Sequence, residues 1–376
     1  MDNYIVKELD FDNVFILPQP SSLSSRSQVN LERTFNFVNN LDEDEDDKLD
    51  ENDCNIENKD NNNNNNDNIV KHREIKSKWT GIPIIAANMD TIGTFKVYDS
   101  LRKYKMLTAL NKFYTVQDYI NAVKSGIDLD PEYFMVTTGI TEENFKNLRE
   151  IVLYTNCKWI CIDVANGYMN CFVKFCYRIR QLYPDKIIVA GNVVTEEMVN
   201  KLVTKGGVDI VKVGIGSGSA CLTRRQTGVG RPQLHAVKEC AKMCRSLRSV
   251  GYSAYIVSDG GIKYPGDMAK AFGAGADFVM AGGIFSGHDE NPGEIIEENG
   301  QHFKMFYGMS SKHAMEKYFG KMENYRSSEG AVIKVPYKGP IKYTIQDFLG
   351  GLRSTCTYIG AECIEQMPYK TYFVAI

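Results

Sequence analysis

The chain has 376 residues, 43% hydrophobic and 24% charged, with a net charge of −3, the profile of a soluble globular protein with ample apolar surface for a core. No apolar run approaches the ~20 residues that span a bilayer, and the start, Met1 to Tyr4, lacks the basic-then-apolar pattern of a secretory leader. The ten cysteines are scattered, with no Cys-x-x-Cys pair, so nothing points to structural zinc, and reduced thiols in the cytoplasm are expected, with neither membrane nor nucleic acid as partner.

The first distinct segment is 41–71. It holds the acidic run Asp42 to Asp47 and the asparagine run Asn61 to Asn66. Its charges repel and it has almost nothing to bury, so a disordered acidic, Asn-rich insert is expected. A tolerated surface loop is the plainer reading, an interaction tail the other. Residues 41–70 carry twelve Asp/Glu against two Lys, so the remaining chain is mildly basic. That suits an anionic ligand such as a nucleotide, and suits solubility equally.

Beyond the insert, short apolar runs alternate with helical patterns. The runs are Ile82–Ala86, Met106–Leu110, Phe134–Thr138, Trp159–Val164, Ile187–Gly191, Ile210–Gly214, Ala254–Ser258 and Phe278–Ala281. Amphipathic stretches such as Thr115–Lys124 and Glu142–Tyr154 lie between them, and Thr195 before Glu196 and Glu197 reads as a capped helix start. Nearly all-apolar strands alternating with helices indicate a parallel sheet. Eight units indicate a closed (β/α)8 TIM barrel, here one α/β domain over 1–376 with the insert inside it and a C-terminal extension. A doubly wound open sheet is the other architecture. From Gly287 to Gly351 the sequence has Ser/Gly-rich patches and little strand–helix order, so a flap is expected there.

The longest interval between runs follows the sixth and carries Gly214, Gly216 and Gly218 at alternate positions, then Cys221, Thr223, Arg224 and Arg225. Glycines so placed allow unusual backbone angles and close approach to a ligand. A cysteine at the end of such a loop, on the rim where barrels place their chemistry, reads as a nucleophile. The two arginines would favour its thiolate, and Thr223 could relay a proton. A small apolar cysteine in a turn is the alternative. Asp259, Gly260 and Gly261 follow the seventh run, and Gly282 and Gly283 the eighth, where barrels commonly hold phosphate. Asp259 would repel phosphate and is expected on a ribose diol. Plain turn glycines are the alternative. Asn88, Asp90, Lys112 and Asp163 end other strands on the same rim. No Gly-x-Gly-x-x-Gly follows a first strand, so a nicotinamide cofactor would bind outside a Rossmann fold.

At these residues the chain resembles the GMP reductase family, barrel enzymes related to IMP dehydrogenase. The resemblance is carried by Ile84 to Thr91, Asp163 to Tyr168, Ala190 to Val194, the Cys221 loop, Ser258 to Gly261, Phe306 to Ser311, Tyr325 to Gly330 and Gly350 to Tyr358. IMP dehydrogenase is the competing reading, and a purine-nucleotide-binding relative without turnover a third. The third unit runs on directly from Leu110 with no inserted regulatory domain, and Thr227 to Gly230 looks like the reductase. The resemblance implies NADPH-dependent conversion of GMP to IMP with loss of ammonia. Cys221 would form a covalent thioimidate at C2, with Thr223 and Glu329 assisting protonation of the amine. It also implies GMP contacts at Asp259, Gly260, Gly261, Gly282, Gly283, Met309, Ser310, Ser311, Arg326, Ser327, Ser328 and Gly330. Cofactor contacts are implied at Ser25, Arg26, Lys112, Asp163, Val164, Ala165, Gly214, Ile215, Tyr325, Ser354, Thr355, Cys356 and Thr357. A homotetramer is implied, with part of the cofactor site completed by a neighbour, and a monovalent cation, potassium, at the Gly214, Gly216, Cys221 and Arg224 loop. The chain departs from the family pattern in having Asn111 where His is usual, Leu222 for Thr and Arg231 for an aromatic residue.

Overall fold

A computed structural model of the chain describes residues 7–41, 73–321 and 327–376. The expected insert, apart from Leu41, and the expected contacts Tyr325 and Arg326 lie outside the described residues.

Three strands come first: β1 (Val14–Ile16), β2 (Arg33–Val38) and β3 (Ile75–Gly81). The repeating units follow as β4 (Ile84–Ala86), α1 (Phe95–Leu101), β5 (Leu107–Ala109), α2 (Val116–Lys124), β6 (Phe134–Thr138), α3 (Glu142–Thr155), β7 (Trp159–Asp163) and α4 (Asn170–Leu182). They continue as β8 (Ile187–Val193), α5 (Glu196–Thr204), β9 (Ile210–Val213), α6 (Thr223–Thr227), α7 (Gln233–Ser249), β10 (Tyr255–Asp259), α8 (Pro265–Gly273) and β11 (Phe278–Ala281). The last elements are β12 (Ile296–Glu298), β13 (Gln301–Tyr307), α9 (Lys312–Phe319), β14 (Val332–Pro336), α10 (Ile341–Ile359) and β15 (Phe373–Ala375).

Strands β4 to β11 are the eight apolar runs, and they close into a parallel barrel, with β11 pairing back onto β4. That closure rules out the open sheet. Closure leaves no edge, so strands as short as three residues suffice once both faces are covered. Thr195 does precede α5, but its hydroxyl meets Tyr168 Oη at 3.1 Å rather than capping the helix. The stretch from Gly287 to Gly351 corrects the expectation of little order. It holds the antiparallel sheet β12–β13–β14 and helix α9, and the 19-residue α10 begins within it. The strand pattern there was hidden by Lys304, which is buried on β13 and donates to the carbonyls of His288 and Asn291 at 3.0 and 2.7 Å. Among the described residues no helix is long and apolar enough to cross a membrane.

The N-terminal mouth of the barrel is plugged by the β2–β3 hairpin. Phe35 stacks on Phe278 with centroids 4.3 Å apart, and Trp79 meets Trp159 edge-on at 5.5 Å. Both indoles donate to the Glu132 carbonyl. Beside the plug, buried Asp209 takes the Arg180 guanidinium, Lys76 Nζ at 2.9 Å and the Ile188 N–H at 2.8 Å. Burial pushes the Lys76 ammonium down to about 8 despite that carboxylate. The hairpin is tied to the barrel at its open end: Asn40 Nδ2 donates to Val208 and Ser253 carbonyls, and Arg73 Nη1 donates to Asn39 O at 2.6 Å. The insert therefore leaves and re-enters at the end of the barrel opposite the strand C-termini.

Two outcomes are expected. Asp209→Asn leaves two buried cations facing each other and should cost about 3–5 kcal/mol in chemical denaturation; a loss below 1 kcal/mol would contradict this role. Deleting Asp42 to Asn68 should leave catalytic rates within about twofold and soluble yield intact, because a flexible loop's length costs little; loss of soluble protein would show the segment to be structural.

Candidate active site

A pocket opens at the C-terminal ends of the barrel strands, lined from Lys112, Asp163 and Asn192 across to Cys221, Asp259, Met309 and Glu329. The barrel side of the pocket is built from several strand ends, as the barrel geometry dictates, and Met309 and Glu329 come from the C-terminal extension.

The loop after β9 carries the thiol. Gly214 and Gly216 have φ of +153° and +75°, and a Cβ there would lie 2.2 Å from Asp259 O and 2.4 Å from Arg224 Cγ, so both must be glycine. Gly218, third in the pattern, has an ordinary φ and room for a side chain, so it is not required on these grounds. Cys221 ends the loop, and α6 begins two residues later. Its Sγ lies 3.3 Å from Thr223 Oγ1, which in turn donates to Glu329 Oε2 at 2.6 Å. Two backbone contacts hold this line: Leu222 N–H donates to Glu329 O at 2.7 Å, and Ala331 N–H to Ala220 O at 2.9 Å. The strand-like pairing of Cys221 with Gly330 lies between them.

Arg224 has another partner than the thiol. Its guanidinium binds Asp10 Oδ2 at 3.1 Å and the carbonyls of Ile215 and Arg231, so it staples the loop shut. Arg231 pairs with Glu8 and donates to the Val194 carbonyl. This ion pair holds the Glu8 carboxyl below the usual carboxylate range.

Sequence reasoning missed the centre of the pocket floor. Lys212 on β9 is 1% exposed and sits 2.5 Å from Asp163 Oδ1 and 3.4 Å from Asp259 Oδ2. Asn192 Nδ2 also donates to Asp259 Oδ2 at 2.8 Å. Burial would raise the Asp163 carboxyl, but the Lys212 and Lys112 ammoniums hold it below the usual range. Burial likewise works against the Lys212 charge, yet the two carboxylates raise its pKa above the ordinary lysine value. The available signal was a lone lysine in an otherwise apolar strand, Ile210 to Val213, which has to find a counter-charge inside the barrel.

Most expected contacts line the pocket: Lys112, Asp163, Val164, Ala165, Gly214, Ile215, Gly216, Asp259, Gly260, Gly261, Gly282, Gly283, Met309, Ser310 and Gly330. Others do not. The Ser311 hydroxyl caps α9, Ser327 donates to Gln226, and Ser328 accepts from the Lys312 N–H. Ser354, Thr355 and Thr357 direct their hydroxyls to carbonyls of α10 itself, and Cys356 is buried in the core, its thiol pushed up to about 12 by burial. Exposed Ser25 and Arg26 lie on the N-terminal arm that runs beside α10, where the Gln19 N–H donates to Tyr358 O at 2.8 Å. Within one chain these six residues stand apart from the pocket. For Cys356 the side chain itself is removed as a ligand contact.

The family model described as IMP dehydrogenase / GMP reductase domain matches residues 52–376. A protein named GMP reductase from Buchnera aphidicola subsp. Schizaphis graminum is 45% identical over 370 residues, 98% of this chain and 94% of that one. Proteins of the same name from Yersinia pestis and Yersinia pseudotuberculosis are also 45% identical, covering 98% of this chain and 95% of theirs. The chain belongs to the IMP dehydrogenase/GMP reductase family. In this family member the thiol, the hydroxyl and the glutamate fall on one line, above a floor of paired charges.

Lys212→Met tests that floor through its sign with pH. In the parent, the lowered Asp163 pKa contributes stability above the unfolded value, lost as pH falls through the folded one. Without the ammonium, burial should raise that carboxyl instead, so the variant's stability should fall as pH rises from about 4 to 7. Melting curves across that range check it, and a variant with the parent's pH slope would rule out the pairing.

Proposed function

We propose that the chain is a GMP reductase, converting GMP to IMP with NADPH as reductant and releasing ammonia. The observation that carries this reading is the Cys221–Thr223–Glu329 line at the pocket, together with the name borne by its near relatives.

The two hydrogen bonds point from thiol to hydroxyl to carboxylate. They give the thiol proton a path to Glu329 as Cys221 Sγ bonds to purine C2. The path reversed hands a proton to the 2-amino group, so the C2–N bond breaks with ammonia as leaving group. This leaves a thioimidate between Cys221 and the purine. Reduced nicotinamide supplies the hydride that C2 then needs, and the C–S bond breaks to return the thiolate. In total GMP, NADPH and two protons give IMP, NADP+ and ammonium. Asp259 contacts its neighbours through Oδ2, which leaves Oδ1 for a ribose hydroxyl. The Gly283–Phe285 turn and Gly260–Gly261 bring backbone to the place where phosphate would lie.

The pocket fits a nicotinamide. Asn192 lines it and keeps Oδ1 buried without a donor among the described residues, an acceptor for a carboxamide N–H. Lys112 and Asp163 to Ala165 would hold the cofactor on that side. Ser25, Arg26 and Ser354, Thr355 and Thr357 of α10, outside the pocket of their own chain, would serve a neighbour's cofactor in a homotetramer. Potassium would bind loop carbonyls after β9. Cytoplasmic location goes with the same reading.

The deciding experiment mixes protein, GMP and NADPH and follows loss of reduced cofactor with ammonia release. GMP with NADPH should react far faster than IMP with NAD; robust XMP formation from IMP would instead make the chain a dehydrogenase. Cys221→Ala should bind GMP and release no ammonia. Glu329→Gln should slow ammonia release by ~10²–10⁴, with less effect on hydride transfer between IMP and NADP+. Parent-like turnover in this variant would discard the proton path.

A further inference from the structure

Four donors converge on one carboxylate outside the Cys221 line. Asp90, in the loop after β4, is 7% exposed. It accepts from the hydroxyls of Tyr307 and Tyr318, from Lys317 Nζ at 2.7 Å and from Asn111 Nδ2 at 3.0 Å. Its own N–H points to Met309 Sδ at 3.1 Å. Burial opposes the charge, yet Lys317 and the two phenols hold the carboxyl below the usual range. Burial and Asp90 together push both phenols well above theirs, so they stay neutral donors.

The donors come from three separate elements. Tyr307 ends β13, Lys317 and Tyr318 lie on α9, and Asn111 follows β5, next to Lys112. From Tyr307 the path to chemistry is short. The Gly308 N–H donates to Ala331 O at 3.0 Å, and the neighbouring Glu329 and Ala331 are the residues tied to the Cys221 loop. On the other side Phe113 stacks on Tyr318 with centroids 3.7 Å apart at 12°, and Phe113, Met315 and Phe319 line the pocket.

We propose that Asp90 is a positioning residue of the active site, holding β13, α9 and the Asn111–Phe113 loop in the one arrangement that sets Glu329 against Thr223. The proposal rests on the reductase reading for its kinetic consequence only. A hydrogen-bonded carboxylate that merely stabilised the flap would lower the melting temperature without favouring one chemical step over another. A pin on the Glu329 segment acts on the step that needs the proton.

The test compares Asp90→Asn, which keeps shape and removes charge, with Tyr318→Phe, which removes one donor. Ammonia release from GMP should fall about a hundredfold in Asp90→Asn, the scale of a misplaced catalytic group, and by less in Tyr318→Phe. KM for GMP and hydride transfer between IMP and NADP+ should suffer less than ammonia release, since neither requires Glu329. Amide hydrogen exchange should quicken over 308–321 and 327–331 and stay unchanged in the barrel strands. Equal losses in both half-reactions, or parent-like ammonia release, would overturn the proposal. If Asp90→Asn fails to fold, Tyr318→Phe decides by the same partition. A parent that releases no ammonia defeats the reductase reading alone; the exchange over 308–321 and 327–331 then decides for or against the pin.

Discussion

A charge enclosed by a barrel has to be balanced inside it, because water is not there to do so. Lys212 is that charge. Its ammonium lies between Asp163 at the end of β7 and Asp259 at the end of β10. Both carboxylates are held in place by it, and each presents acceptor oxygens to the pocket. The same strand delivers the Cys221 loop two residues after Lys212, so the thiol's origin and the charged floor share one piece of backbone. Displacing β9 would move the nucleophile and both acids together.

The flap is attached to this arrangement at two points. Backbone pairing of Cys221 with Gly330 ties it to the thiol loop, and the Asp90 carboxylate ties it to the barrel rim. Helix α9 and strand β13 bury only part of their surfaces, with Phe319 and Met305 exposed. Their position thus depends on these polar contacts as well as on apolar packing of Phe306 and Ala314. The opposite mouth is built the other way, from interlocked aromatic rings. Rigidity comes from one end and adjustable chemistry from the other.

The barrel was legible because eight nearly all-apolar runs, mostly separated by helical patterns of ordinary length, leave few other solutions. The thiol loop was legible because glycine spacing and a rim position coincide. The N-terminal hairpin was not, since Arg33 to Val38 alternates polar and apolar residues over only six positions and its partner strand lies across the insert. Lys212 and Asp90 were seen as letters without roles. Their meaning comes from partners 47 and 217 residues away in sequence, and periodicity does not carry that information. Arg224 was misread for a related reason: its counter-ion, Asp10, comes from the far N-terminus.

The β2–β3 hairpin has a consequence for how the chain can be altered. Its strands pair from Arg33 with Gly81 out to Val38 with Ile75, and Arg73 closes back on Asn39. The two ends of whatever lies between them are therefore held side by side by the folded barrel. A folded domain whose own termini lie close together could be spliced in at this point, facing away from the pocket. Such a graft would act as a handle, for surface attachment or for a fluorescent reporter, on the side of the molecule that substrate does not approach.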